Sequence, residues 1–187
     1  MRSTVLLLGL LLATPASARD FGTYDGFSVA ASEADSETAE GGFCGMLKDG
    51  YEGAGSSRLM IFRYLEYPDS VAASVDNYNW TTVKGKEYEV KFHLGEYYYD
   101  RTAVGTQDSI RKGLMGVFPA SDFLPVFAKA PGFKITMGDT TVDNLSLTGS
   151  GAAVDALNRC WQYLRADQAV KIAKRDKFKH IPKDPFK

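Results

Sequence analysis

Apolar positions along this chain fall into short alternating runs, and the spacing switches to a helical one near the end. Between residues 87 and 94, Tyr88, Val90, Phe92 and Leu94 alternate with Glu89, Lys91 and His93, the pattern of a strand with one dry and one wet face. Phe133, Ile135 and Met137 alternate with Lys134 and Thr136. Gly138-Asp139 then suits a two-residue hairpin turn into a return strand over 140–147. Residues 59–67 are apolar on both faces except at Arg63 and Glu66, which predicts a central strand ended by Pro68-Asp69. Further strands are expected over 26–30, 44–48, 71–75, 97–104 and 113–118. After residue 48 the chain turns either at Asp49-Gly50 or through a longer glycine- and serine-rich loop over 53–57.

Two stretches leave the strand rhythm. Residues 122–129 suit a short helix, with Ser121 as its cap and Pro125 limiting its regularity. After a break at residues 148–151, Val154, Leu157, Trp161 and Leu164 recur at intervals of three and four, one apolar stripe of a helix capped by Ser150 or Thr148. The expected fold is mainly β: an antiparallel β-sandwich with a short helix near 121–129 and a C-terminal helix near 150–164 packed on it.

Residues 1–18 change the compartment. Arg2, the apolar run over 5–12 and the small-residue triplet Ala16-Ser17-Ala18 match an export signal cleaved after Ala18. The apolar run is too short to span a bilayer, and no later run is long enough. In an oxidising compartment the two cysteines, Cys44 and Cys160, are expected to form one disulfide that ties the last helix to an early strand. The expected organisation is a signal over 1–18, one β-rich domain over 19–164 and a basic, flexible tail over 165–187.

Net charge is −1, but it is unevenly spread. Lys171, Lys174, Arg175, Lys177 and Lys179 are among eight basic residues after Leu164, against Asp167, Asp176 and Asp184. An acidic body with a basic end predicts weak, salt-sensitive contact between the tail and anionic phospholipid surfaces. Nucleic acid is not an expected partner in that compartment. The acidic residues of 33–40 lack the pattern of a calcium loop and read as a solvated surface loop.

The search for chemistry ends without a catalytic set. His93 sits on the wet face of its strand with no nucleophile-elbow sequence beside it, and His180 lies in the basic end. Two cysteines and two histidines do not pair at zinc-module spacings, and the glycines form neither a phosphate-cradling loop nor a dinucleotide fingerprint. No metal and no cofactor is expected. Trp80, Tyr97 and Tyr99 are the candidate binding surface, because tyrosines on alternate strand positions share a face. The bland alternative is that these rings fill the edge of the sandwich.

The stretch 123–160 also carries a resemblance. A short apolar helix, then FKITMGD, then VDNLSLTGSGAAVDALNRC resembles the closing pattern of small exported proteins related to invasion-associated locus B of Gram-negative bacteria. The matching positions are Leu145, Leu147, Gly149, Ala152, Ala153, Ala156 and Leu157. The resemblance spans 43–164, with its specific part in the last forty or so residues. No tryptophan-led opening strand with its own cysteine precedes Cys44, which departs from the family. What the resemblance implies is a periplasmic β-sandwich with a packed terminal helix, and it brings no catalytic residues.

Three readings follow. The first is an exported, periplasmic or secreted, non-enzymatic domain that binds an envelope component or a protein partner. The second is an envelope enzyme or an enzyme inhibitor, for which the loop over 105–112 is the candidate. The third is a structural or stress-related envelope protein without a defined ligand.

Overall fold

The computed structural model describes residues 18–33, 41–49, 57–107 and 110–179. Ten strands and two helices follow one another as β1 (Ala18–Tyr24), β2 (Phe27–Ser32), β3 (Phe43–Lys48), β4 (Arg58–Tyr64), β5 (Ser70–Asn77), β6 (Glu87–Leu94), β7 (Tyr97–Gln107), β8 (Lys112–Pro119), α1 (Ala120–Phe127), β9 (Gly132–Met137), β10 (Thr140–Ser146) and α2 (Ser150–Lys179). All strands are antiparallel members of one sheet in the order β1-β2-β3-β4-β5-β8-β7-β6-β9-β10. The sheet does not close, and β1 and β10 stand at its two ends.

The expected sandwich is therefore made from one continuous sheet that curls over itself. Inward-facing side chains from β2 to β10 enter a single core with both helices. Polar ties mark where the far ends meet. The Ser57 hydroxyl, next to β4, donates to Asp143 of β10 at 2.5 Å and accepts from the Asn77 amide at 2.8 Å. Lys48 at the end of β3 donates to the Thr148 carbonyl at 3.0 Å. Ser57, Asn77 and Asp143 are buried, so these bonds satisfy groups that would otherwise be costly to desolvate.

The helices dock through different chemistry. Phe123 and Phe127 of α1 join Phe92, Phe118 and Phe133 in a chain of rings, with centroids 4.4 Å apart for Phe118–Phe123 and 6.2 Å for Phe127–Phe133. Each such pair is worth about 0.5–1.5 kcal/mol beyond the area it buries. On α2, Val154, Leu157, Trp161 and Leu164 are buried as their spacing predicts, together with Ala153 and Ala156. Cys160 and Cys44 are joined by a disulfide, with Cα atoms 6.0 Å apart.

Several details differ from the sequence reading. β1 was not expected, because ARDFGTY lacks an apolar alternation and adjoins the signal. It carries a bulge at Asp20/Gly22. Ser121 does not cap α1. Pro119 holds the cap position without a side-chain bond, and Ser121 bonds Asp122 inside the first turn. Neither Ser150 nor Thr148 caps α2. The Ser150 hydroxyl donates across to the Phe127 carbonyl at 3.1 Å, while Thr148 bonds Ser146. Past Leu164, helix continues to Lys179 where a loose end was expected. Residues 165–179 contain no proline or glycine, and Asp167 pairs with Lys171 one turn on at 2.8 Å. Gly138 takes φ +56° in the expected turn between Met137 and Thr140. The alternative turns after Asp49, the proposed cleavage site apart from Ala18 itself, and most of the acidic loop lie outside the described residues.

Candidate binding groove

A charged residue on the core face of a strand needs an explanation. In β4, Leu59, Ile61 and Arg63 share the inward face, because alternate strand residues point the same way. Leu59 and Ile61 are fully buried. Arg63 emerges at the end of the core and reaches α2, its guanidinium carbon 4.3 Å from the centre of the Trp161 ring. Nη1 donates to the Asn158 amide oxygen at 3.4 Å and Nη2 to the Pro68 carbonyl at 3.2 Å, both long. Nε is buried and has no hydrogen-bond partner among the described residues. Burial pulls Arg63 below the ordinary arginine value, Arg165 pulls the same way, and Asp69 opposes them.

This guanidinium lines a groove of about 600 Å³ between α1, α2 and the turn from β4 to β5. Leu124, Pro125 and Val154 form an apolar floor, and Lys129, Asp69 and Asp155 stand on the walls. Among the described residues no carboxylate forms an ion pair with Arg63. Each terminal nitrogen keeps a second N–H, and an anion is the group that such guanidinium donors bind best. The groove thus offers a fixed cation beside an apolar surface, in a place shaped by both helices.

The residues expected to form an aromatic platform are separated. Trp80 follows β5 and is half-buried against the core. Tyr99 lies near the start of β7, where its ring meets Phe118 at 5.3 Å and Phe123 at 5.9 Å. Tyr97 is 65% exposed and borders a second hollow with Val126 and Pro131. β7 and β8 place Gln107 beside Lys112, the end of the sheet near Trp80, while Tyr97 and Tyr99 lie toward the other end of the long β7 strand.

His93 bonds the Thr136 hydroxyl through Nε2 at 3.0 Å. Burial lowers its proton affinity, Lys134 and Lys91 add to that, and Asp100 opposes. It borders a hollow with Gly95, Lys134 and Asn144, and no carboxylate lines that hollow among the described residues. Among the described residues no cluster of three metal-ligating side chains occurs. In the basic end, Lys171 is paired with Asp167 and Lys174 is exposed. The side chains of Arg175, Lys177 and Lys179 lie outside the described residues. Among the described residues, no helix is long and apolar enough to cross a membrane.

Arg63 was visible in the sequence only as an interruption of an apolar strand. Its position two residues after Ile61 was the signal that it faces inward; the groove itself depends on how α1 and α2 meet.

Neither a family model nor a curated protein matches the chain. Among solved structures, the crystal structure of invasion associated protein B from Bartonella henselae is similar, with a TM-score of 0.56 and 12% identity over 76% of this chain and 97% of that chain. At that identity the likeness is one of fold. It agrees with the pattern over 123–160, and the chain thus resembles, in fold, the invasion-associated locus B-like proteins.

Proposed function

We propose that this chain is an exported, non-enzymatic domain of a bacterial envelope that binds an anionic group in the groove between α1 and α2. The anion would be a carboxylate or phosphate displayed by an envelope component or by a protein partner. One observation carries the reading: Arg63 is held over Trp161 at the wall of the groove, and among the described residues no carboxylate is ion-paired with it. Arginine held this way is already oriented, so little side-chain entropy is lost when an anion binds. The apolar floor would accept the body of the ligand while the guanidinium takes its charged end.

Export is supported by the Cys44–Cys160 disulfide and by the signal pattern of residues 1–18. A non-enzymatic role is supported by His93, whose bonded partner is a threonine rather than a carboxylate. The test is a titration followed by NMR or calorimetry, using inorganic phosphate and short acidic peptides as probes. Saturable binding that moves groove signals, and is lost in Arg63→Met, is the expected result. No saturable response, or equal binding by Arg63→Met, would sink the reading. Intact-mass analysis of the exported chain should find it beginning at Arg19.

A further inference from the structure

The groove at Arg63 does not stop at α1. Pro125 and Lys129, which line it, also line a second hollow of about 400 Å³, toward the turn from β6 to β7. Leu94, Tyr97, Val126 and Pro131 give that hollow an apolar lining, with Glu96 and Lys129 as its charged groups. Pro125 and Lys129 lie one turn apart and are both exposed, so they form a low ridge between the two hollows.

The ridge and its approaches are polar. Among the described residues Lys129 makes no ion pair. Inside α1, Pro125 has no N–H to give the Ser121 carbonyl, its partner in an unbroken helix. Ser121 lines the first groove, and its carbonyl keeps the capacity to accept from outside. Asp69 and Asp155 add further acceptors on the walls there. From one end to the other, the path runs from a fixed guanidinium, past acceptors and one ammonium, to an apolar hollow walled by an exposed tyrosine.

We infer that the ligand is a segment of a protein partner, lying extended across α1 with an acidic side chain at Arg63 and an apolar one in the hollow at Tyr97. This ligand class rests on the anion reading of Arg63 and goes beyond it. The ridge favours a peptide over a lipid. An acyl chain running between the hollows would lie across the Lys129 ammonium and offer it nothing, which is costly once water is excluded. A peptide offers carbonyls to Lys129 and N–H groups to Ser121, Asp69 and Asp155, whereas those two carboxylates repel a phosphate-rich surface. Crossing a helix about 10 Å wide takes three to four extended residues at about 3.3 Å each. Side chains of an extended segment alternate, so positions i and i+4 are the pair that both turn toward the protein. The face of the Tyr97 ring suits an aromatic side chain at the second position.

The test uses the exported chain, disulfide intact, and short capped peptides carrying glutamate and phenylalanine four positions apart, in both orders. The tighter of the two should bind about tenfold or more better than its counterpart with alanine in place of phenylalanine, as burial of one aromatic side chain requires. Placing the two residues side by side should abolish that gain. Tyr97→Ser alters an exposed position, so circular dichroism should be unchanged while the phenylalanine gain vanishes. Inorganic phosphate reaches Arg63 alone and reports on the anion site by itself. Phosphate binding without a phenylalanine gain, or a gain that survives Tyr97→Ser or adjacent spacing, would overturn the peptide and leave the anion site standing. Absence of both phosphate and peptide binding would overturn the two together. Binding of phosphatidylglycerol vesicles that is lost in Arg63→Met, yet not displaced by either peptide, would assign the groove to a membrane surface and overturn the peptide as well.

Discussion

Arg63 of β4 and Trp161 of α2 meet with the guanidinium carbon 4.3 Å from the ring centre. An indole face covers a cation that has emerged from the core side of a strand, where a carboxylate would be the usual partner. Cation–aromatic contacts of this kind are worth about 0.5–2 kcal/mol, less than a buried ion pair would need to repay its desolvation. The arrangement keeps the arginine in place without neutralising it.

Arg63→Met should therefore separate stability from binding. The unbranched apolar methionine still covers much of Trp161 and removes the unbonded Nε, so the midpoint of urea unfolding should hold or rise. Binding of phosphate or acidic peptide should disappear in the same protein. Arg63→Ala, which also uncovers Trp161, should lose about 1–2 kcal/mol.

Reduction of the Cys44–Cys160 bond, or Cys44→Ser with Cys160→Ser, should lower stability by about 2–5 kcal/mol. The bond closes a loop of 116 positions, long enough for the entropy of the unfolded chain to fall markedly. Urea curves with and without reductant measure the difference. Coincident curves would mean that α2 docks as well without the bond.

Gly149→Ala should destabilise the molecule by about 1–3 kcal/mol. Gly149 has φ +89°, and a Cβ there would come within 2.5 Å of the Asp25 Cβ and 2.7 Å of the Tyr24 carbonyl. The added methyl pushes apart the turn between β1 and β2 and the entry to α2. A thermal scan of the variant tests this, and an unchanged midpoint would contradict it.

His93 should make stability fall as the solution becomes acidic. Its proton affinity in the fold lies below the ordinary value of 6.5, through burial and then through Lys134 and Lys91. The unfolded chain takes up the proton first. The stabilisation is thus present above the unfolded value and is lost as pH falls through the lower folded one. His93→Gln should flatten unfolding free energy between about pH 7 and 5, where an unperturbed histidine titrates. If the parent and variant slopes match, another group is responsible.

Truncation after Leu164 should cost less than about 1 kcal/mol, because Leu164 is the last buried apolar residue among those described. The removed helix carries Val170 and Ile172 exposed at 52% and 36%, and these do not share a helix face with one another. Any binding to anionic vesicles should therefore be electrostatic, abolished by salt and by the truncation. Vesicle flotation by the truncated chain, equal to that of the full chain, would exclude the basic end.

Local pattern made much of this molecule readable. β6 was legible because every second residue is apolar, and α2 because four large side chains recur at helical spacing. β1 was not, since its pairing with β2 owes nothing to an apolar rhythm of its own. Residues 165–179 carry the opposite signal: lysine-rich sequence reads as solvated, yet its residues are good helix formers attached to a helix already nucleated, and α2 runs on to Lys179. The groove required knowing that α1 and α2 converge beside Arg63, which is a long-range fact.

The strand order carries a consequence for how the chain assembles. β1 to β5 follow one another across the sheet, as do β9 and β10, and β6 to β8 do so in reverse. Three pieces can therefore zip up between sequence neighbours, at small loop-closure entropy, and only the β5–β8 and β6–β9 seams wait for distant segments. At the first seam the β8 residue Gly113 lies hard against β5: a Cβ there would fall on Asp76 and the Val75 carbonyl. Bare backbone there lets a prebuilt three-strand piece slide into register against β5 without a side chain blocking its approach. A side chain added at Gly113 should thus slow the last joining step, trapping molecules whose hairpins are complete but whose halves have not met.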